Sequence, residues 1–208
     1  MTVPPRLVLA SASPARLQLL AAAGIRAEVI VSGVDESVVQ ADGPETLSST
    51  LARLKAEAVA DRLRRKDTPD GTRTLVLGCD SVLAFDGEVL GKPASADDAR
   101  LRWQAMRGES GVLHTGHCLI DPDSGEAAAG VATTTVHFGA LSDAEIDAYV
   151  ATGEPLRVAG AFTIDGLGGP FVERIEGDAG TVIGLSLPLF RRLLADLGEE
   201  ITSFWRVG

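Results

Sequence analysis

The sequence predicts an α/β protein built on a mixed β-sheet, and three observations carry that reading. Short apolar runs of β type alternate with stretches of helical period along the 208 residues. Some successive β runs are separated by a helix, as at 7–10 and 28–31, while others meet across a tight turn, as in VLAF-DG-EVL. Crossovers make parallel pairs and hairpins make antiparallel ones, so the two connections together argue against a wholly parallel sheet. No internal repeat, low-complexity tract or linker interrupts the pattern, so residues 1–208 are expected to form a single domain.

The elements follow in order. Residues 7–10 read as a short buried strand ending in SASP, where Pro14 opens a helix to residue 23 that Gly24 closes. A second strand is expected over 28–31. Leu47, Leu51, Leu54, Ala58 and Leu63 recur at helical spacing within 44–65, and KDTPDGTR, 66–73, reads as a loop. Residues 74–78 form the next strand, followed by the hairpin on Asp86-Gly87, whose dipeptide suits a two-residue turn. Ser95 starts a helix that Gly108 ends. Residues 113–120 and 130–138 are β-rich around the turn DPDSGE. Ser142 and Glu145 form a capping box for a helix to 151. A glycine-rich stretch, AGAFTIDGLGG, leads to an extended FVERI and a last helix after Pro188.

Composition limits the function. With aromatics at 4%, the core must come from Leu, Val, Ile and Ala. A formal charge of -10 argues against a nucleic-acid polymer as partner, while leaving room for a small phosphorylated ligand held by a few local cations. Cys79 and Cys118 lie in apolar runs without metal-ligand spacing, which reads as two buried free thiols and a reducing compartment, with the cytoplasm expected. The opening MTVPPRLVLASAS lacks the pattern of a signal peptide, and no apolar stretch approaches the roughly 20 residues of a membrane span. The oligomeric state is left open, a homodimer included.

Three constellations could carry chemistry. In LVLASASPARLQLL, Ser13 and Pro14 aim the free N–H groups of a helix start at whatever lies before the strand; Ser11 adds a hydroxyl and Arg16 a fixed cation. Plain helix capping is the simpler reading of that stretch alone. Lys55 interrupts the apolar ridge between Leu51 and Val59; a snorkelling side chain is the common case, and an inward one needs an anionic partner. Asp35, Glu36 and Asp80 all follow β-like runs, where α/β proteins place ligand clefts. Carboxylates gathered there need a cation between them, and oxygen-only ligands suit a hard metal such as Mg²⁺. His114, His117 and His137 show no ligand spacing, so zinc is not expected. A carboxylate, a lysine, an arginine and a helix N-terminus together outline phosphoanhydride chemistry, in which cations offset phosphate charge and an acid takes a proton from water.

The motifs SASPAR (11–16), VDE (34–36), ARLKA (52–56), GCDSV (78–82), GEVLGKP (87–93), TG (115–116), YVATGEP (149–155), AGAFTIDGLG (159–168) and VERIEGD (172–178) occur in that order. Together they resemble the Maf family of nucleoside triphosphate pyrophosphatases, over about residues 7–194. The resemblance implies a long twisted mixed sheet with two lobes around a cleft, like that of the inosine triphosphate pyrophosphatases. It also implies cleavage of a nucleoside triphosphate substrate to a monophosphate and pyrophosphate with a divalent metal (Mg²⁺, Mn²⁺ or Co²⁺). By position, Asp80 matches the family's proton acceptor, Lys55 and Lys92 its catalytic lysines, and Ser11, Ser13 and Arg16 its phosphate loop. Glu36 falls in the acidic motif associated with the metal, with Asp80 as its neighbour.

The departures concern the base. The family loop S-x-S-P-R-R has Ala15 in place of its first arginine. Ala15, Ser81 and Asp165 occupy specificity positions that hold Arg, Thr and Gln in the branch selective for dTTP and UTP, and Trp, Gln and Glu in the branch selective for methylated guanine nucleotides. This chain matches neither set, so the preferred base is left open. The alternative class is a cell-division regulator or nucleotide sensor that keeps the fold without turnover. Retention of Arg16, Lys55, Asp80 and Lys92 favours the enzyme.

Overall fold

The computed structural model describes residues 4–64 and 72–205. Among these the strands form one seven-stranded sheet in the order β2-β1-β3-β5-β6-β7, with β4 paired to β3. The strands are β1 Arg6–Leu9, β2 Ala27–Val29, β3 Thr74–Phe85, β4 Glu88–Leu90, β5 Ser110–Ile120, β6 Ala127–Phe138 and β7 Val172–Glu176. Strand β1 runs parallel to β2 and β3, and every other pairing is antiparallel. The sheet is mixed, as the connections predict.

The helices are α1 Pro14–Ala22, α2 Pro44–Arg64, α3 Ala96–Met106, α4 Asp143–Ala151, α5 Ala179–Ile183 and α6 Leu187–Asp196. Their local signals hold. Ser95 caps α3, and the Ser142–Glu145 box opens α4. Gly24 follows α1 at φ 76°, and Asp86 and Gly87 make the turn at φ 48° and 77°. The helical expectation for residue 65 and the loop expected over 66–71 lie outside the described residues.

Three differences matter. The strand expected over 74–78 continues to Phe85, so Asp80 stands in mid-strand, not at a strand end. The continuation is held by an eleven-residue partner, β5, paired with β3 from Ile120↔Val76 to Val112↔Ala84. The second strand is shifted toward the N-terminus, to Ala27–Val29. The five-residue α5 was not foreseen, because one turn between glycines leaves no periodicity to read.

The long strand places the site. Leu75, Leu77 and Cys79 belong to an apolar cluster with α6, whereas Leu83 belongs to another with Trp103, Phe138 and Phe162. Val76 packs in a third cluster under α2, with Ala52, Ala56 and Val59. Asp80 and Ser81 fall between the first two clusters, where β3 passes from one core to the other. Helix α2 lies directly on β3 and β5 because Gly78 and Gly116 carry no side chain. A Cβ at Gly78 would collide with the Ala52 carbonyl oxygen, and one at Gly116 with that of Ser48. The close approach brings Lys55 over Asp80.

Candidate active site

A cleft of about 760 Å³ is lined by Ser11, Ser13, Ala15, Arg16, Glu36, Lys55, Asp80, Ser81, Lys92 and Asp165 together. The residues to which the family resemblance gives a role therefore line one space, contributed by segments scattered through the chain.

The inner end is a bonded cluster. Lys55, 7% exposed on α2, sets its ammonium 2.5 Å from Asp80 Oδ1 and 2.7 Å from Glu36 Oε1. This is the inward lysine with an anionic partner, not the snorkelling one. Arg62, two turns further along α2, donates to the carbonyls of Val31 and Ser32 and so fastens the segment leading to Glu36. Asp80 is 6% exposed. Burial pushes its carboxyl above the ordinary carboxylate value; Lys55 and Arg16 pull it back without cancelling the rise, to which Glu36 adds.

Arg16 lies across the cleft floor with each of its three nitrogens bonded once, which leaves two N–H groups of its fork for a ligand. Its Nε donates to the Gly184 carbonyl at 2.7 Å, and its two amino groups reach Ser11 Oγ at 2.9 Å and Ser81 Oγ at 3.1 Å. Ser81 Oγ in turn lies 2.9 Å from Thr115 Oγ1, which donates to the Thr181 carbonyl at 2.8 Å. A lysine could not span those acceptors. Ser13 occupies the N-cap position of α1, yet its hydroxyl makes no capping hydrogen bond. The capping reading of that serine is thus not met, and the first turn keeps free N–H groups at the cleft.

Asp35, weighed with the acids, instead starts the short helical turn Glu36–Val38 by accepting from the Ser37 amide and hydroxyl, bonds that hold its pKa low. His117 is a core residue: fully buried, with Nδ1 3.0 Å from the Thr115 carbonyl and Nε2 accepting from the Ser186 amide. Burial depresses its pKa to about 4 and keeps it neutral. Cys79 and Cys118 are buried and unpaired, as expected.

The outer end differs. Lys92, Asp165 and Arg157 line the cleft but make no side-chain hydrogen bond or ion pair among the described residues. The hairpin does return Lys92 to the space that Asp80 faces. Arg157 was missed by the sequence reading; its signal was a cation two residues after the GEP of YVATGEP. Gly184, whose carbonyl accepts from Arg16, and Thr115, which holds Ser81, were also missed, and the TG at 115–116 was the only hint.

No three His, Cys, Asp or Glu residues among those described form a cluster able to hold a metal ion. Glu36 and Asp80 are the two carboxylates that already share one cation, the Lys55 ammonium. No described helix is long and apolar enough to cross a membrane.

Fold and cleft define a class: an α/β protein whose cleft sets cations and a helix start beside a buried carboxylate. Residues 6–197 match the model of the Maf-like proteins, and the chain belongs to that family. It is 65% identical over 207 residues to a nucleoside triphosphate pyrophosphatase of Salinispora tropica, covering 100% of this chain and 90% of that one. A protein of the same name from Streptomyces coelicolor is 58% identical over 200 residues, covering 96% and 94%. One from Trichodesmium erythraeum is 47% identical over 201 residues, covering 97% and 98%. Among solved structures, the Ham1 protein of Staphylococcus aureus aligns over 65% of this chain and 72% of its own, at 16% identity and a TM-score of 0.41.

Proposed function

We propose that this chain is a nucleoside triphosphate pyrophosphatase, which hydrolyses the α–β phosphoanhydride and releases a nucleoside monophosphate and pyrophosphate. The observation that carries the reading is Asp80, a buried carboxylate bonded to Lys55 and within the field of Arg16 on the floor of the cleft. Relatives that span nearly the whole chain and bear that name support it.

In this mechanism the triphosphate enters over the start of α1, where backbone N–H groups, the Ser11 and Ser13 hydroxyls and Arg16 bind its oxygens. Asp80 takes the proton from the water that attacks the α-phosphorus. Its raised pKa strengthens it as a base. Lys55 orients that carboxylate and offsets charge in the transition state, and Lys92 at the rim meets the leaving pyrophosphate. Glu36 and Asp80 are the carboxylates that would hold a divalent ion here, an oxygen-only pair of the kind Mg²⁺ takes together with phosphate. Mg²⁺, Mn²⁺ or Co²⁺ held there would supply further neutralisation of phosphate charge. Ala15, Ser81 and Asp165 bear on the base, with Asp165 able only to accept hydrogen bonds when ionised. Two buried free thiols are in keeping with work in the cytoplasm, on the nucleotide pool.

The test is a panel of standard and modified nucleoside triphosphates with Mg²⁺, Mn²⁺ or Co²⁺, reading pyrophosphate separately from orthophosphate. Monophosphate and pyrophosphate in equal amounts are expected. Orthophosphate as the first product refutes the reaction, and binding without turnover across the panel returns the chain to the sensor or regulator class.

A further inference from the structure

The glycine-rich stretch that carries Asp165 has no regular structure of its own apart from short turns, yet it is tightly held. Its anchor is Glu154, which follows α4 and does not line the cleft. Glu154 Oε1 accepts from the Tyr149 hydroxyl at 3.0 Å, the Thr163 hydroxyl at 2.6 Å and the Gly168 amide at 3.0 Å. Its Oε2 accepts from the Leu167 amide at 3.1 Å. Burial raises the Glu154 pKa, but the bonds from Thr163, Leu167, Gly168 and Tyr149 outweigh it and leave the group below its ordinary value, so it is an anion at neutral pH.

The loop is shaped to wrap this carboxylate. A Cβ at Gly166 would come within 2.7 Å of Glu154 Oε2, and one at Gly168 would overlap the Tyr149 hydroxyl. Tyr149 is itself fixed, 2% exposed and edge-on to Trp103 and Phe171. The chain therefore makes two attachments to one anion, at Thr163 and again at Leu167–Gly168, and Asp165 is the exposed crown between them.

We infer that Glu154 is a positioning residue for base selection: it fixes residues 163–168 so that Asp165 meets the base at one place. This rests on the reading of Asp165 as a base contact. An exposed loop without such an anchor would let Asp165 sample many positions, and a hydrogen-bonding group discriminates only as well as it is placed. Replacing the carboxylate by an amide turns an acceptor into an NH₂ donor that faces either the Leu167 amide or the three donors on Oε1, which loosens the crown while keeping the volume.

The experiment uses the full chain as wild type, Glu154→Gln, Asp165→Ala and the double variant. It measures the ratio of kcat/KM for GTP to that for UTP, with turnover of inorganic tripolyphosphate as a substrate without a base. Asp165→Ala is expected to shift the ratio by about fivefold or more. Glu154→Gln should shift it in the same direction by at least half as much on a logarithmic scale, and the double variant should go no further than Asp165→Ala. Tripolyphosphate turnover should stay within about twofold in Glu154→Gln, which a general loss of structure would not allow. Should Glu154→Gln fail to fold, Tyr149→Phe removes one bond to the same carboxylate from outside the cleft. It should shift the ratio in the same direction by a smaller factor; no shift then overturns the inference. A ratio that moves in Asp165→Ala but not in Glu154→Gln, or effects that multiply in the double variant, also overturns it. A ratio unmoved by Asp165→Ala removes the base contact and this inference with it, while continued release of pyrophosphate leaves the proposed reaction standing.

Discussion

The two ends of the cleft are built differently. At the inner end every charged group has partners from regular elements: Lys55 on α2 holds Asp80 on β3 together with Glu36, and Arg16 on α1 holds Ser11, Ser81 and Gly184. At the outer end Lys92, Arg157 and Asp165 are exposed and make no side-chain bond among the described residues. The inner groups are placed before a ligand arrives, so the ligand need not supply the energy of ordering them. At the outer end the side chains of Lys92, Arg157 and Asp165 gain partners only from the substrate, although the backbone that carries Asp165 is itself anchored on Glu154. Attack on the phosphoanhydride belongs at the first end; the second meets the leaving pyrophosphate through Lys92 and the base through Asp165.

Asp80→Asn strikes the inner end hardest. It keeps the size and removes both charge and basicity, and a drop in kcat of about 10²–10⁴-fold is expected. Folding should not suffer. A carboxyl whose pKa is raised on folding costs stability at any pH above its unfolded value, so the amide should hold Tm within about 3 °C or raise it. Melting and turnover on one preparation check both. Near-normal turnover would hand the base role to another group, with Glu36 the first to examine.

The two cations give the sharpest contrast. Arg16→Lys leaves three acceptors for one ammonium, and kcat/KM should fall by about 10²-fold or more. Lys92→Arg exchanges one solvated cation for another, so a change below about threefold is expected. Equal losses in the two variants would erase the distinction between the ends.

A smaller effect should follow from changing the base end alone. Ala15→Arg, Ser81→Thr and Asp165→Gln together install the residues of the pyrimidine branch, and activity on dTTP and UTP relative to GTP should rise by about tenfold. Ser81 bonds to Arg16, so part of any effect on absolute rate comes through the inner end. Kinetics on the same nucleotide panel separate the two: one common factor for all substrates would mean that these positions do not read the base.

The features legible in the sequence were those whose cause lies within a few residues. Pro14, Asp86-Gly87 and the Ser142–Glu145 box each act through their own backbone, and each produced the expected helix start or turn. The residues to which the family resemblance gives a role were legible through it, and they line one cleft. What was not legible depends on distant partners. The engaged fork of Arg16 needs Ser81, 65 residues away, and Gly184, 168 away. Asp80 in mid-strand needs the β5 partner and the bare backbone of Gly78 under α2, neither of which a local apolar pattern contains. Ser13 misled in the opposite way: its type is right for capping, and its hydroxyl is left free of that task.

The most direct test of Asp80 as the base is the acid limb of the kcat/KM profile, measured for wild type and Asp80→Asn with the same metal and nucleotide. An acid group that must be ionised in the free enzyme makes activity rise with pH through its pKa. Burial places that of Asp80 above the ordinary carboxylate value of 3.8. The wild type should therefore lose activity as pH falls, with a midpoint above that value, and the residual activity of Asp80→Asn should lack this limb. A limb with the same midpoint in both proteins would contradict the assignment and place the essential proton on a different residue.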